Sequence, residues 1–211
     1  MSVPGFFALV VAAGSAAAPV GKDFYATNAV GFSSPRDWEA QLEEVEKEID
    51  LSDGIAGEVA FGRKLNNWRL EASYGLNYSS WKSMKVTSST SEAEAKIGMK
   101  GRINVQTFLP SSFYNFENQS KFSPYVGGGL GLSQLGSPKV TMTHGGDSYT
   151  SSMNGLALSG QLTGGVTYKL DHTNDIYLEG GLLQLFPMGD DDISIDPLMF
   201  AGVKIGTRWR F

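Results

Sequence analysis

From Phe24 to the C-terminus, apolar and polar residues alternate in segments of about ten, separated by stretches rich in Ser, Asn, Asp, Gly and Pro. A period of two is the signature of strands with one apolar face. Eight are expected, near 23–34, 54–65, 67–80, 94–108, 122–135, 153–169, 175–187 and 198–211. The last is the clearest: Ala201, Val203, Ile205, Thr207, Trp209 and Phe211 share one parity, and Gly202, Lys204, Gly206, Arg208 and Arg210 the other. In 67–80 the row Trp68, Leu70, Ala72, Tyr74, Leu76, Tyr78 opposes Arg69, Glu71, Ser73, Gly75 and Asn77. In 94–108 the row Ile97, Met99, Gly101, Ile103, Val105 opposes Lys96, Lys100, Arg102 and their neighbours. An even number of long strands in sequence suits an all-β, antiparallel up-and-down barrel.

Alternation does not say which face is inside. A soluble ligand-binding barrel would fill its lumen with the apolar parity, whereas a membrane barrel would turn that parity to lipid. Three features favour the membrane. Aromatic residues gather near both ends of the apolar parity, with Trp68, Tyr168, Trp209 and Phe211 at one end and Phe32, Tyr78, Trp81 and Phe186 at the other, as in two interfacial girdles. The polar parity is built from Gly, Ser, Thr and a few charges, not the dense charged coat of a water-exposed surface. Connections alternate in length: 65–67 and 170–174 are short, while 35–53, 81–93, 136–152 and 188–197 are long.

Composition narrows the field. Glycine is 26 of 211 residues, charged residues are 18% and the formal charge is −5, which argues against a helical bundle and against a nucleic-acid binder. With no cysteine, disulfides and thiolate sites are excluded. Residues 1–20, with the run Phe6–Ala13 and the small residues Gly14–Ala18, read as an export signal, with a buried N-terminal element as the alternative; 21–211 form the barrel.

The C-terminal pattern of Lys204, Gly206, Trp209 and terminal Phe211, together with the segment Ser123–Leu132, resembles the small outer-membrane β-barrel superfamily of Gram-negative bacteria, which contains OmpA/OmpX-type barrels and opacity-like, porin-family surface proteins. The resemblance covers roughly 22–211. It implies an eight-stranded transmembrane barrel with both termini periplasmic and four external loops. It also implies contact with outer-membrane lipid, and reading of the four C-terminal residues by the assembly machinery. The connection into the fifth strand would be 110–121, carrying Phe113, Tyr114 and Phe116.

In such a barrel the inward parity would hold Arg69, Lys96, Lys100, Arg102, Lys204, Arg208 and Arg210 against Glu58, Glu71 and Glu179, and buried charge must be paired. A plugging charge network is expected; the excess of cations leaves a slim anion-preferring pore as the alternative. In 37–50, Trp38, Leu42, Val45 and Ile49 recur at helical spacing, predicting an amphipathic helix capped by Ser34 or Asp37, either resting on the barrel mouth or docking an external protein or host surface. Gly127–Gly129 lacks the lysine and helix of a phosphate loop. Asp190–Asp192 with Asp196 lacks the ligand spacing of a calcium loop and reads as a solvated acidic loop. A lipid-modifying enzyme would need a His/Ser/Asp set; His144 with Ser148 and Asp147 is the one such set in an external loop, and a Gly-rich loop holds it poorly. No catalytic residue, cofactor or metal is expected; the role is structural or adhesin-like.

Overall fold

The computed structural model describes residues 23–36, 38–42, 45–88, 94–144, 147–187 and 197–211, with the outermost strand ends described by their backbone pairing. Residues 1–20 lie outside it. The strands are β1 (Phe24–Pro35), β2 (Trp38–Leu42), β3 (Val45–Leu51), β4 (Gly54–Leu65), β5 (Trp68–Ser88), β6 (Glu94–Asn115), β7 (Phe122–His144), β8 (Asp147–Lys169), β9 (Asn174–Pro187) and β10 (Leu198–Arg210). All pairings are antiparallel. The run β4–β1–β10–β9–β8–β7–β6 is closed by β5, which bonds both β4 and β6, so the wall is an eight-stranded barrel. The seam joins first strand to last, from Tyr25↔Arg210 to Pro35↔Phe200, and the Phe211 N–H donates to the Phe24 carbonyl at 3.0 Å.

The amphipathic helix expected over 37–50 is not formed. The segment is a hairpin, β2–β3, whose register sets Trp38 opposite Ile49 and Leu42 opposite Val45. Antiparallel pairing of 38–42 with 45–49 makes cross-strand partners of the same four residues that helical spacing singles out, so the apolar pattern satisfies both structures. The upper edge of β5 decides between them, because it offers β3 a backbone ladder from Ser83 to Ser88 that a helix cannot use. The connection expected over 110–121 is also shorter, since β6 runs to Asn115 and leaves only 116–121 as the turn.

Side-chain parity follows the membrane arrangement over most of the wall. Val203 and Ile205 are each 54% exposed on the outside, in company with Val30, Ile55, Phe61, Leu70, Leu130, Leu162, Leu178 and Leu182. Polar residues on this outer face bond one another: the Thr207 hydroxyl donates to Asn28 Oδ1 at 2.7 Å, and the Tyr74 hydroxyl to Gln106 Oε1 at 2.6 Å. Such pairing is what a polar group needs where no water can solvate it. Among the side chains described within the wall strands, the outward parity carries two charges. Arg63 lies over the Phe24 ring at the turn end, and Arg102 lies beyond Tyr78 at the loop end.

Aromatic contacts form a belt at the turn end. Trp68 meets Tyr114 and Tyr114 meets Phe116 edge to face; Phe122 packs on Tyr168; Phe24, Phe61 and Phe211 pack in a row across the seam. Phe32, Tyr78 and Phe186 stand exposed towards the other end. From Trp68 to Tyr78 the rise along a strand tilted by about 40° is about 25 Å, the height of an outer-membrane apolar band. Trp81, expected in the second belt, is instead buried inside the barrel.

Candidate functional site: a two-layered lumen

The inward parity is stratified. In the turn half it is ionic. Lys204 Nζ lies 2.9 Å from Glu58 Oε2 and 3.0 Å from Glu179 Oε1, bridging β10 to β4 and β9. Tyr125 donates its hydroxyl to the other oxygen of Glu179 at 2.9 Å. Across the lumen, Glu71 Oε1 accepts from Arg69 Nη1 at 2.7 Å and from the Tyr25 hydroxyl at 2.9 Å. Asp175 Oδ2 accepts from Arg210 and stands 3.7 Å from Arg208 Nη1. The two most buried guanidinium groups are also clad in rings: Arg69 over Phe113 and Tyr125 at 4.7 and 4.6 Å, Arg208 over Tyr25 and Tyr177 at 5.2 and 5.3 Å. Planar, weakly hydrated arginine suits such stacking better than lysine.

The loop half is apolar. Leu51, Trp81, Ile103, Val105, Ala157, Leu185, Leu198 and Phe200 form one buried cluster. Between the layers a chain of hydroxyls crosses the wall, with Thr107 and Ser133 at 2.7 Å and the Ser159 hydroxyl donating to Ser133. The cavity there is about 50 Å³, lined in part by Glu58, Ser73, Asn77, Thr107, Gln161 and Lys204. That is room for a few water molecules.

Several sequence expectations change against this geometry. Arg102 is not in the lumen: β6 turns Ile103, Val105, Thr107 and Leu109 inward, which leaves Arg102 exposed on the outer parity opposite Ser80. Reading the greasy parity of this strand as lipid-facing fails because the loop half of the bore is itself greasy. Lys96 and Lys100 take part in the ladders, opposite Lys85 and Thr141, and their side chains lie outside the described residues. Asp175, fully buried, joins the network though sequence reasoning omitted it; stepping by twos from Glu179 through Tyr177 would have found it. The described lumen therefore sets Arg69, Lys204, Arg208 and Arg210 against Glu58, Glu71, Asp175 and Glu179, a balance rather than the cation excess that suggested an anion path.

The four C-terminal motif residues acquire structural roles. Lys204 is the hub of the ionic layer, Trp209 faces outward, and Phe211 completes the aromatic row over the seam. Gly206 lies beneath the Tyr177 ring, where a Cβ would come within 2.4 Å of the ring and 2.3 Å of the Asn28 carbonyl. Tyr25 over Gly62 and Tyr125 over Gly165 repeat the arrangement. His144 and Asp147 are paired across the β7–β8 hairpin, with side chains outside the described residues, as are Asp190–Asp192 and Asp196.

A closed antiparallel wall, greasy and internally paired on the outside, ionic and apolar in layers on the inside, defines a small outer-membrane β-barrel. The family model for the Opacity family porin protein matches residues 60–211, and the chain belongs to that family. Among solved structures it is similar to Neisserial surface protein A, at 17% identity over 89% of this chain and 97% of that one, with a TM-score of 0.50. The outer membrane protease OmpT from Escherichia coli shares 7% identity over 90% and 97% of the two chains, with a TM-score of 0.58. OprG from Pseudomonas aeruginosa shares 15% identity over 90% and 97%, with a TM-score of 0.47. No curated protein matches the sequence.

Proposed function

We propose that this protein is a non-conducting, non-catalytic surface protein of the outer membrane. In this reading it displays its loop-end strands outside the cell, with the short turns and both termini periplasmic. The supporting observation is the stacking of two unlike layers in the lumen, the ionic one around Lys204 and the apolar cluster around Trp81. An ion would have to break paired charges and then cross a greasy plug. The balance of charges among the described lumen side chains weighs against the anion-preferring alternative. In this reading the partners are outer-membrane lipid around the wall, the assembly machinery at Lys204, Gly206, Trp209 and Phe211, and an external protein at the loop end. Planar-bilayer recording of the refolded full-length chain tests it: silence is expected, and discrete channels would overturn the plug. Protease cleavage of the β2–β3 hairpin on intact cells is expected as well; cleavage only after the outer membrane is opened would reverse the orientation.

A further inference from the structure

The outer face of the wall changes chemistry where β5, β6, β7 and β8 leave the apolar band. Followed across all eight strands, the hydrogen-bonded row that leaves β1 at Tyr25 returns to it at Pro35, ten residues nearer the loop end. That stagger sets the strand tilt at about 40°, so a row climbs by about 3 Å at each strand and a strand by about 2.5 Å at each residue. The row through Tyr78 continues to Asn104, Gly136 and Asn154. With Tyr78 at the top of the band, Asn104 stands about 3 Å above it, Gly136 about 6 Å, and Arg102 and Asn154 about 8–9 Å. This is the depth of the polar headgroups that cap the hydrocarbon.

A shallow polar cleft lies at that depth. Gly136 is its floor: a Cβ there would stand 2.5 Å from Asn104 Oδ1 and 3.6 Å from Asn154 Oδ1, so the two carboxamides flank a gap that the missing side chain leaves open. Tyr78, 40% exposed, is the cross-strand partner of Asn104 at the foot of the cleft. Arg102 is exposed above Asn104 on the same parity. Just below, the Tyr74 hydroxyl donates to the Gln106 oxygen, which leaves the Gln106 amide NH2 to donate. Asp53, just before β4, is two strands away from Arg102 and accepts from the Ser34 hydroxyl at 2.6 Å. A guanidinium is shaped to hold a phosphate, and carboxamides can bond sugar hydroxyls and acyl amides. Beneath them the exposed row Phe108, Leu132 and Leu158 offers a surface to acyl chains.

We infer that this cleft binds the phosphorylated sugar headgroup of an outer-leaflet glycolipid. Arg102 holds the phosphate, Asn104 and Asn154 hold the sugar over Gly136, and the acyl chains lie along the apolar wall below. The inference rests on the surface-display reading, which sets the loop end in the outer leaflet, and it names the lipid class and the residues that hold it.

The test is native mass spectrometry of the full-length protein released from detergent micelles and titrated with diphosphoryl lipid A, with phosphatidylglycerol as an anionic lipid that lacks the phosphorylated sugar. Lipid A is expected to bind the more tightly. Arg102→Gln should weaken lipid A binding about fivefold, the order of one charge-assisted hydrogen bond partly screened by water. Gly136→Val fills the cleft and should weaken it by a similar factor, whereas Arg63→Gln, at the outward charge of the other end, should leave it unchanged. Heat-modifiable migration checks that each variant is folded; if Arg102→Gln does not fold, Gly136→Val decides. Unchanged binding in Arg102→Gln or Gly136→Val, an equal loss in Arg63→Gln, or phosphatidylglycerol bound as tightly as lipid A would each overturn the inference. Binding in micelles does not depend on which way the barrel is inserted, so the display reading fails separately, through the intact-cell protease experiment above.

Discussion

At the scale of the residue, Glu71 shows how narrowly the ionic layer is satisfied. One of its oxygens serves both Arg69 and Tyr25, while Arg69 Nε and Nη2 have no hydrogen-bond partner among the described residues. Glu71→Gln removes the countercharge of a buried guanidinium and is expected to cost about 3–5 kcal/mol, read as a lower unfolding midpoint in detergent. The double change with Arg69→Met should recover most of the loss; an unchanged midpoint in the single variant would mean that water satisfies Arg69. Gly206 gives a second case. Gly206→Ala sets a methyl against both Tyr177 and the Asn28 carbonyl, so barrel formation should fall in a folding assay, with Tyr177→Ala restoring part of it. Failure confined to recognition by the assembly machinery, with normal unaided folding, would argue against a packing role. In the turn after β8, Asp171 accepts from the Asn174 side chain, from the Thr173 and Asn174 amides and from the Thr173 hydroxyl, and these bonds hold its carboxyl well below the usual carboxylate range. A depressed value in the folded state means that the turn's contribution is complete above about pH 4 and is lost only as pH falls through the lower, folded value. By NMR, Asp171 should remain ionised at about pH 4; titration in the ordinary range would contradict the turn geometry. Glu117, beside Lys64 in the preceding turn, is shifted in the same direction by the Lys64 ammonium.

Among the elements, the wall strands were legible because alternation, turn residues and belt aromatics all agree. Strand β4 falls on the expected range, and β1, β9 and β10 lie within a residue of theirs at either end. What sequence missed is what lies above the membrane. There β5, β7 and β8 extend well past the expected limits, because adjacent strands keep bonding each other once lipid no longer defines the boundary, whereas β6 begins at the expected residue and overruns at its turn end. The pair β2–β3 reads as a helix for the reason its register exposes: spacings of four, three and four coincide with the cross-strand pairs Trp38↔Ile49 and Leu42↔Val45. Likewise the buried apolar cluster was invisible as an interior feature, since Ile103 and Val105 look identical whether they face acyl chains or a greasy bore. Only burial separates the two, and that depends on which side the bulged ladders at Ser80/Ser83 and Gly101/Asn104 leave them. The plug makes its own prediction. Trp81→Ala empties the widest member of the cluster and is expected to destabilise the barrel by about 3–5 kcal/mol, read by thermal unfolding. Conductance should stay absent because the Lys204 layer still closes the bore; channels in this single variant would show that the ionic layer alone does not seal.

For the molecule as a whole, the solvent of the outer face is decisive. A soluble barrel and a membrane barrel share strand number and order, and differ in whether Val203, Ile205, Leu162 and Leu178 meet protein or hydrocarbon. The structure turns these four outward, away from the lumen occupied by Thr163, Glu179 and Lys204. The most direct measurement is electron paramagnetic resonance of single nitroxides at Val203, Ile205, Leu162 and Thr163 in lipid bilayers, with oxygen and a water-soluble nickel chelate as relaxants. Labels at the first three sites should relax strongly with oxygen and weakly with nickel, and the label at Thr163 weakly with both. Outer-face labels shielded from oxygen, or relaxed preferentially by nickel, would contradict a lipid-facing wall.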